Sequence, residues 1–468
     1  MEYKENASRL RFALPSTKLL VLGSLTLIVG TILWLGGLRL AAAGDTPILG
    51  AFIRSIWRVA AIVMAAGITL LLSAFAYHVL LPDCAKICGK VRRALCHPSC
   101  GNPLHLRNGE KLPAISCVEL GKGIYALTIR GGAVTVDVIA DAASAISSAL
   151  DGRYTQYAIT QTDTGVAYDR VTFRIEDVTV DRSLTFSDIE QMRPADPTKL
   201  RVQDGAEIDL TTSGSMLVAG KTRSGKTTGI IALLLQVLLA GRDAYGSQVV
   251  IIDPKQAELS RLPHVVTLDT DGEARGILET LKRFSDTIVT RQAVLNNLSE
   301  QVGDAVKWWS AGMHPSFLFI DEYVACRSIF PKKPAKDSDY CLDSFDALVK
   351  RIVTMGASAG CYVIISIAEA SVQEGGLPAM LRSAMSTRIL FRPTRSEALL
   401  LWDKAKLETM PERVYGPGDA WFSSTDGVHD NVSYVHFPRM DFLVYKELGR
   451  LLSEYYKDNP HTTPPAAE

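Results

Sequence analysis

At 468 residues the chain exceeds one typical domain, and its hydrophobic content of 47% is high for a protein wholly surrounded by water. Its 50 basic side chains balance 50 acidic ones. The zero formal charge excludes a global basic field, so any contact with nucleic acid is local.

A polar tail at 1–18 leads into Leu19–Leu38, a run of 20 uncharged residues, and at 1.5 Å per residue this reaches the ~30 Å of a hydrocarbon core. Val59–Leu81 is a second such run. Ala41-Ala42-Ala43 imitates a signal-peptide cleavage site, but the apolar stretch is longer than the ~7–15 residues of a signal sequence. Lys4, Arg9, Arg11 and Lys18 precede the first run, and Lys86, Lys90, Arg92 and Arg93 follow the second. The positive-inside rule therefore predicts a multi-pass cell-membrane protein with both ends in the cytoplasm, spans within 19–81, and an external loop near Gly44–Trp57. Arg39, Arg54 and Arg58 in and beside that loop moderate the bias.

The segment 82–113 reads as a juxtamembrane linker in which Cys84, Cys88, Cys96 and Cys100 are spaced C-x3-C-x7-C-x3-C. Four thiolates suit zinc, juxtamembrane cysteines suit acylation, and a set with no special role suits the loose spacing equally. Between 114 and 197 short strand-like runs (Tyr125–Arg130, Val134–Ile139, Val171–Ile175) accompany one helical stretch at Ala142–Leu150, which predicts a small α+β domain acting as a spacer or subunit contact. From 198 to 440, apolar strands of four to six residues alternate with longer helices, as in a parallel α/β sheet. A helix and a disordered tail are expected over 441–468.

Ser215–Ala219 is a buried-type strand that runs into Gly220-Lys221-Thr222-Arg223-Ser224-Gly225-Lys226-Thr227-Thr228, followed by the helical run Gly229–Leu239. This is the G-x-x-x-x-G-K-T phosphate loop in its strand–loop–helix context. Its glycines let backbone N–H groups close on phosphates, Lys226 reaches the β and γ phosphates of ATP, and the Thr227 hydroxyl binds Mg²⁺. The strand Phe317–Ile320 ends in Asp321-Glu322, which suits a magnesium-holding aspartate and a glutamate that polarises the attacking water. Together they predict a RecA-like, P-loop ATPase domain.

A third strand, Val249–Ile252, opens into Asp253-Pro254-Lys255-Gln256-Ala257-Glu258-Leu259-Ser260, with Pro263-His264 soon after. This resembles the D-P-K-x-x-E-L-S segment of FtsK/SpoIIIE motor domains. Arg351, nine residues before Gly360, Thr387-Arg388-Ile389 and Gly416-Pro417-Gly418-Asp419 match further motifs of that family in order, so the resemblance runs from near Ile208 to Ser424. It implies a DNA translocase working as a ring, with Arg388, Arg351 and Arg382 as candidates to reach a neighbour's γ-phosphate. It departs where those motors carry T-Q-R-P: this chain reads Ile367-Ala368-Glu369-Ala370, without the glutamine that senses the γ-phosphate. Little chain follows Asp419, so the expectation is that the winged-helix module that orients chromosomal motors is absent.

Two spans, a small domain and one motor also resemble the TcpA-type coupling proteins of Gram-positive conjugative elements. That resemblance implies a membrane-bound homo-hexamer that feeds DNA, single- or double-stranded, to a transfer channel and meets a relaxase and mating-channel proteins. Lys332, Lys333 and Lys336, in a Pro-rich loop after the second carboxylate strand, either meet DNA phosphates or form a solvated loop. The alternatives are a partitioning translocase, a protein-secretion ATPase, and a scaffold that binds nucleotide without hydrolysing it.

Overall fold

The structure, a computed structural model, describes residues 3, 15–42, 46–96, 101–132, 134–336, 338–368, 377–407, 410, 415–427 and 429–457. It divides into two compact units, Met1–Thr179 and Val180–Glu468. Expected features at Lys4–Arg11, Cys100, Glu369-Ala370 and the tail beyond 457 lie outside the described residues.

In the first unit, α1 (Pro15–Ala42) and α2 (Pro47–Leu80) are both long and apolar enough to cross a membrane. Their seam repeats every seven residues. Ile53, Ala60, Gly67 and Ala74 are buried on α2, and Gly23, Gly30 and Gly37 oppose them on α1. A Cβ at Gly67 would stand 2.9 Å from the Leu27 backbone nitrogen of α1, so glycine permits this close approach. The stretch expected to be an external loop is instead mostly helical. Thr46 caps the Leu49 N–H at 3.3 Å and Pro47 takes the first turn, a start signal that begins α2 well before Val59, where the apolar run starts.

Next come α3 (Asp83–Cys96), β1 (Ile115–Gly121), β2 (Ile124–Arg130), α4 (Val136–Asp141), α5 (Ala143–Ser148), β3 (Tyr157–Thr164) and β4 (Arg170–Asp177). The strands form an antiparallel sheet in the order β1-β2-β4-β3. The strand expected at Val134–Ile139 is α4: Val136, Ile139, Ala143 and Ile146 are buried at helical spacing, which outweighs the β propensity of the valines.

In the second unit, β5 (Thr185–Phe186), β6 (Lys199–Gln203) and β7 (Ala206–Asp209) precede β8 (Met216–Gly220) and α6 (Lys226–Ala240). The expected small-domain end at 197 thus falls inside this unit, where Ile189 and Met192 join its core. The chain continues through β9 (Val249–Ile252), β10 (Val265–Val266), α7 (Arg275–Val302), β11 (Ser316–Ile320), α8 (Tyr323–Ile329), α9 (Leu342–Met355), β12 (Cys361–Ile367) and α10 (Ala379–Ala384). It ends with β13 (Thr387–Phe391), α11 (Arg395–Ala398), α12 (Lys404–Leu407), β14 (Asp419–Ser423), β15 (Ser433–His436), β16 (Arg439–Met440) and α13 (Val444–Tyr456).

The main sheet has the order β10-β9-β11-β12-β8-β13-β14-β15. It is parallel through β13, as expected, but β14 and β15 are antiparallel, so the sheet is mixed. The short chain between β14 and β15 permits a hairpin and not a crossover. Each central strand is buried on both faces, which explains its unbroken apolar run. Met216 and Val218 face one core with α6 and α13, while Leu217 and Ala219 face the other with α7 and α9.

Candidate functional site

The parallel strands β9, β11, β12 and β8 deliver their C-terminal ends to one edge of the sheet, where an α/β fold binds ligands. There Gly220 (φ +154°), Arg223 (φ +63°) and Gly225 (φ +91°) turn the loop between β8 and α6. A Cβ on Gly225 would lie 2.6 Å from the Gly418 nitrogen, which donates to the Ser224 carbonyl at 3.0 Å. The Gly416–Asp419 turn therefore buttresses the phosphate loop from behind. That turn is held by Asp419, which accepts the Gly416 N–H at 2.7 Å and pairs with His436 at 2.8 Å. Burial pushes the Asp419 carboxyl up, but His436 and the Gly416 N–H outweigh it and hold it low.

At the end of β11 the Asp321 N–H bonds the Ile252 carbonyl of β9 at 2.9 Å, and its Oδ1 accepts the Ser366 hydroxyl of β12 at 2.9 Å. Burial raises the Asp321 carboxyl above its usual range, opposed by the Ser366 hydrogen bond and the Lys226 charge. Glu322 takes a left-handed conformation (φ +48°), rare for a non-glycine residue and found where a site over-determines its backbone. Its Oε1 lies 3.0 Å from Lys226 Nζ and 3.4 Å from Lys255 Nζ. The carboxylate of Asp253, fully buried, accepts the N–H groups of Lys255, Ala257 and Ser260 at 3.0–3.1 Å and so orders the D-P-K loop.

These groups fit a nucleotide triphosphate. The loop's positive φ values at Gly220, Arg223 and Gly225 give it the kind of turn in which backbone N–H groups can gather around an anion. The buried Ser224 hydroxyl has no hydrogen-bond partner among the described residues, an unmet polar demand inside the cradle. Lys221 at the loop's rim pairs with Glu397 at 3.6 Å.

Lys226, Asp321 and Glu322 meet, as the motifs imply, while Thr227 and Thr228 open α6 beside them. The arginines do not stand alike. Arg388 donates to the Leu401 and Arg382 carbonyls and Arg382 to the Leu400 carbonyl, and burial lowers the Arg388 guanidinium pKa. Arg351 is exposed on α9, and its guanidinium has no partner among the described residues. Lys332, Lys333 and Lys336 are exposed, and Ala368 directly follows β12. The three described members of the cysteine set are not gathered together: Cys96 is buried in the small unit's core, while Cys84 and Cys88, one turn apart, meet Cys117 of β1. No group of three metal-binding side chains is arranged to hold an ion among the described residues. Sequence reasoning gave no role to Lys255, Ser366, Glu397 or Cys117. Only Lys255 had a signal, its place in the D-P-K motif.

Residues 192–326 match the FtsK/SpoIIIE family. The FtsK domain-containing protein YdcQ of Bacillus subtilis is 28% identical over 151 residues, covering 32% of this chain and 28% of that protein. The DNA translocase FtsK of Rickettsia typhi is 25% identical over 278 residues, covering 53% of this chain and 35% of that protein. The chain thus spans about a third of the length of these two relatives. Among solved structures, the pCW3 conjugation coupling protein TcpA, in a monomer form with ATPγS, is similar at a TM-score of 0.45 and 14% identity, covering 78% of this chain and 99% of that one. EssC (ATPases 2 and 3) from Geobacillus thermodenitrificans is similar at a TM-score of 0.42 and 15% identity, covering 59% of this chain and 52% of that one. The matched segment carries both the phosphate loop and the Asp321-Glu322 strand end, so it is there that the chain is similar to the FtsK/SpoIIIE family.

Proposed function

We propose that the chain is a membrane-anchored ATPase that drives DNA, working as the coupling protein that feeds a conjugative transfer channel. The observation that carries the enzymatic part is the meeting of Lys226 with Asp321 and Glu322 at the strand ends. The loop N–H groups and Lys226 hold the phosphates of ATP, and Glu322 orients and polarises the attacking water. Thr227, whose hydroxyl has no partner among the described residues, and Asp321 would hold Mg²⁺. Bound there, such an ion would supply positive charge that offsets the charge of the phosphates. Arg351 is the better candidate for the group supplied by a neighbour, because the guanidiniums of Arg388 and Arg382 are already engaged.

The anchoring part rests on α1 and α2, whose outward faces expose Leu25, Ile28, Ile62, Leu72 and Phe75. With both ends of the hairpin in the cytoplasm, the ATPase unit meets ATP. The DNA part rests on the family, and six copies of Lys332, Lys333 and Lys336 in a hexameric ring would add weak phosphate contacts into a useful grip. The conjugative role, with a relaxase and mating-channel proteins as partners, rests on the resemblance to TcpA-type proteins.

The test is ATP turnover by the full chain in lipid nanodiscs, with and without DNA. DNA should stimulate the wild type, and Glu322→Gln should bind ATP while losing roughly 10³-fold in turnover. Full turnover by Glu322→Gln would falsify the ATPase reading. Stimulation by an exported protein and not by DNA would replace the cargo.

A further inference from the structure

Glu322 presents one carboxylate oxygen to two ammonium groups, Lys226 at 3.0 Å and Lys255 at 3.4 Å. The two lysines differ in what else they must do. Lys226 belongs to the phosphate loop, and its contact with Glu322 competes directly with its contact to a bound nucleotide. Lys255 stands outside that loop. Its backbone is fixed by the buried Asp253 carboxylate, which gathers three N–H groups, and by the left-handed Gln256 (φ +53°) that follows. Glu322 is also left-handed, a backbone conformation that persists only where its surroundings hold it.

We propose that Lys255 is the positioning residue of Glu322: when Lys226 turns to the phosphates, Lys255 keeps the carboxylate aimed at the attacking water. This assigns the D-P-K loop a place in hydrolysis that needs no contact with nucleotide. It also supplies, within one chain, an ordering element at an edge where Ala368 offers no polar group. The lysine side chain is 49% exposed, so the pair adds little to folding. Its effect comes through orientation of the carboxylate.

The inference rests on Glu322 as the water-polarising group, and the experiment separates the two. In full-length protein, Lys255→Met should lower turnover about tenfold while the ATP affinity changes less than about twofold and the unfolding midpoint stays put. Lys255→Arg, which keeps the charge, should restore most of the loss. In a Glu322→Gln background, Lys255→Met should cost nothing further in a single turnover, because the group it positions is gone. Full turnover by Lys255→Met beside an inactive Glu322→Gln overturns the inference and leaves the ATPase reading standing. An equal loss of affinity and turnover makes Lys255 a phosphate ligand and also overturns it. If Lys255→Met proves unstable, Lys255→Gln takes its place under the same criteria, and additive losses in the Glu322→Gln background refute the coupling. Turnover that survives Glu322→Gln sinks the parent reading instead.

Discussion

Two buried cations in the same unit show how differently one fold can use charge. Arg291 of α7 is completely satisfied: it donates to the Ala359 carbonyl at 2.8 Å, to the His314 carbonyl at 2.8 Å and to Asp243 at 3.0 Å. Asp243 accepts the N–H groups of Tyr245, Ser247 and His314 in turn. Lys226 sits at the opposite extreme, sharing one carboxylate oxygen with Lys255 beside an unpartnered Ser224 hydroxyl and a strained Glu322. A closed network fixes the fold and leaves no capacity to bind. An open one keeps hydrogen-bonding capacity and strain in reserve for a ligand. Substitutions in the closed corner should cost stability and spare chemistry per folded molecule, and substitutions in the open corner should do the reverse.

The largest expected effect tests an open group lying away from the phosphate loop. Arg351→Ala should leave stability unchanged and cut turnover roughly 10³-fold, as loss of an arginine supplied in trans does. Mixed with Lys226→Ala subunits it should regain partial activity, because the Lys226→Ala neighbour still donates Arg351 to an intact phosphate loop. Arg388→Ala should destabilise the protein, stranding the Leu401 and Arg382 carbonyls, and show no such rescue. Rescue by Arg388→Ala and not Arg351→Ala would invert the assignment.

Next in size is the closed corner. Arg291→Met should cost about 3–5 kcal/mol in chemical denaturation, since it abandons a buried carboxylate and two carbonyls. Although burial pushes Asp243 up, Arg291 and the backbone N–H groups outweigh it and hold its carboxyl low. A depressed folded pKa gives stability that is present above the unfolded value near ~3.9 and lost as pH falls through the folded value. Wild-type stability should therefore drop steeply below about pH 4, and Arg291→Met should flatten that drop. An unchanged acid profile would mean the pair contributes nothing.

The division between the corners also explains what could be read in advance. The phosphate loop and the Asp321-Glu322 strand end are contiguous in sequence, with chemistry and local structure in the same few residues. Lys255, Ser366 and Gly418 reach them only through the strand order β9-β11-β12-β8 and the turn before β14, which no local pattern encodes. Arg388 carried a family motif, yet its carbonyl partners, Arg382 in α10 and Leu401 after α11, lie outside that motif, so its engagement was invisible. The valines of 134–139 suggested a strand because alternation and helical spacing coincide over six residues. Gly23, Gly30 and Gly37 read as part of an apolar run, and only the packed hairpin shows them as a seam.

The smallest effect concerns Ser366, which stands on the border between the two kinds of corner. Its hydroxyl is buried and satisfied like a structural group, but its acceptor is Asp321, whose carboxylate is proposed to hold Mg²⁺. Ser366→Ala removes one hydrogen bond, a change of about 1 kcal/mol, or roughly fivefold in an equilibrium constant. If the bond orients Asp321 for the ion, that fivefold should appear as a higher Mg²⁺ concentration for half-maximal turnover, with the saturated rate and the unfolding midpoint nearly unchanged. If it serves only to seal the strand ends of β11 and β12, the loss should appear in the unfolding free energy and the Mg²⁺ requirement should stay fixed. Titrating Mg²⁺ against turnover and denaturant against fluorescence on the same preparation decides which corner Ser366 belongs to. A loss in both would mean that the border itself is shared, and that the metal site draws its rigidity from the sheet through this one hydroxyl.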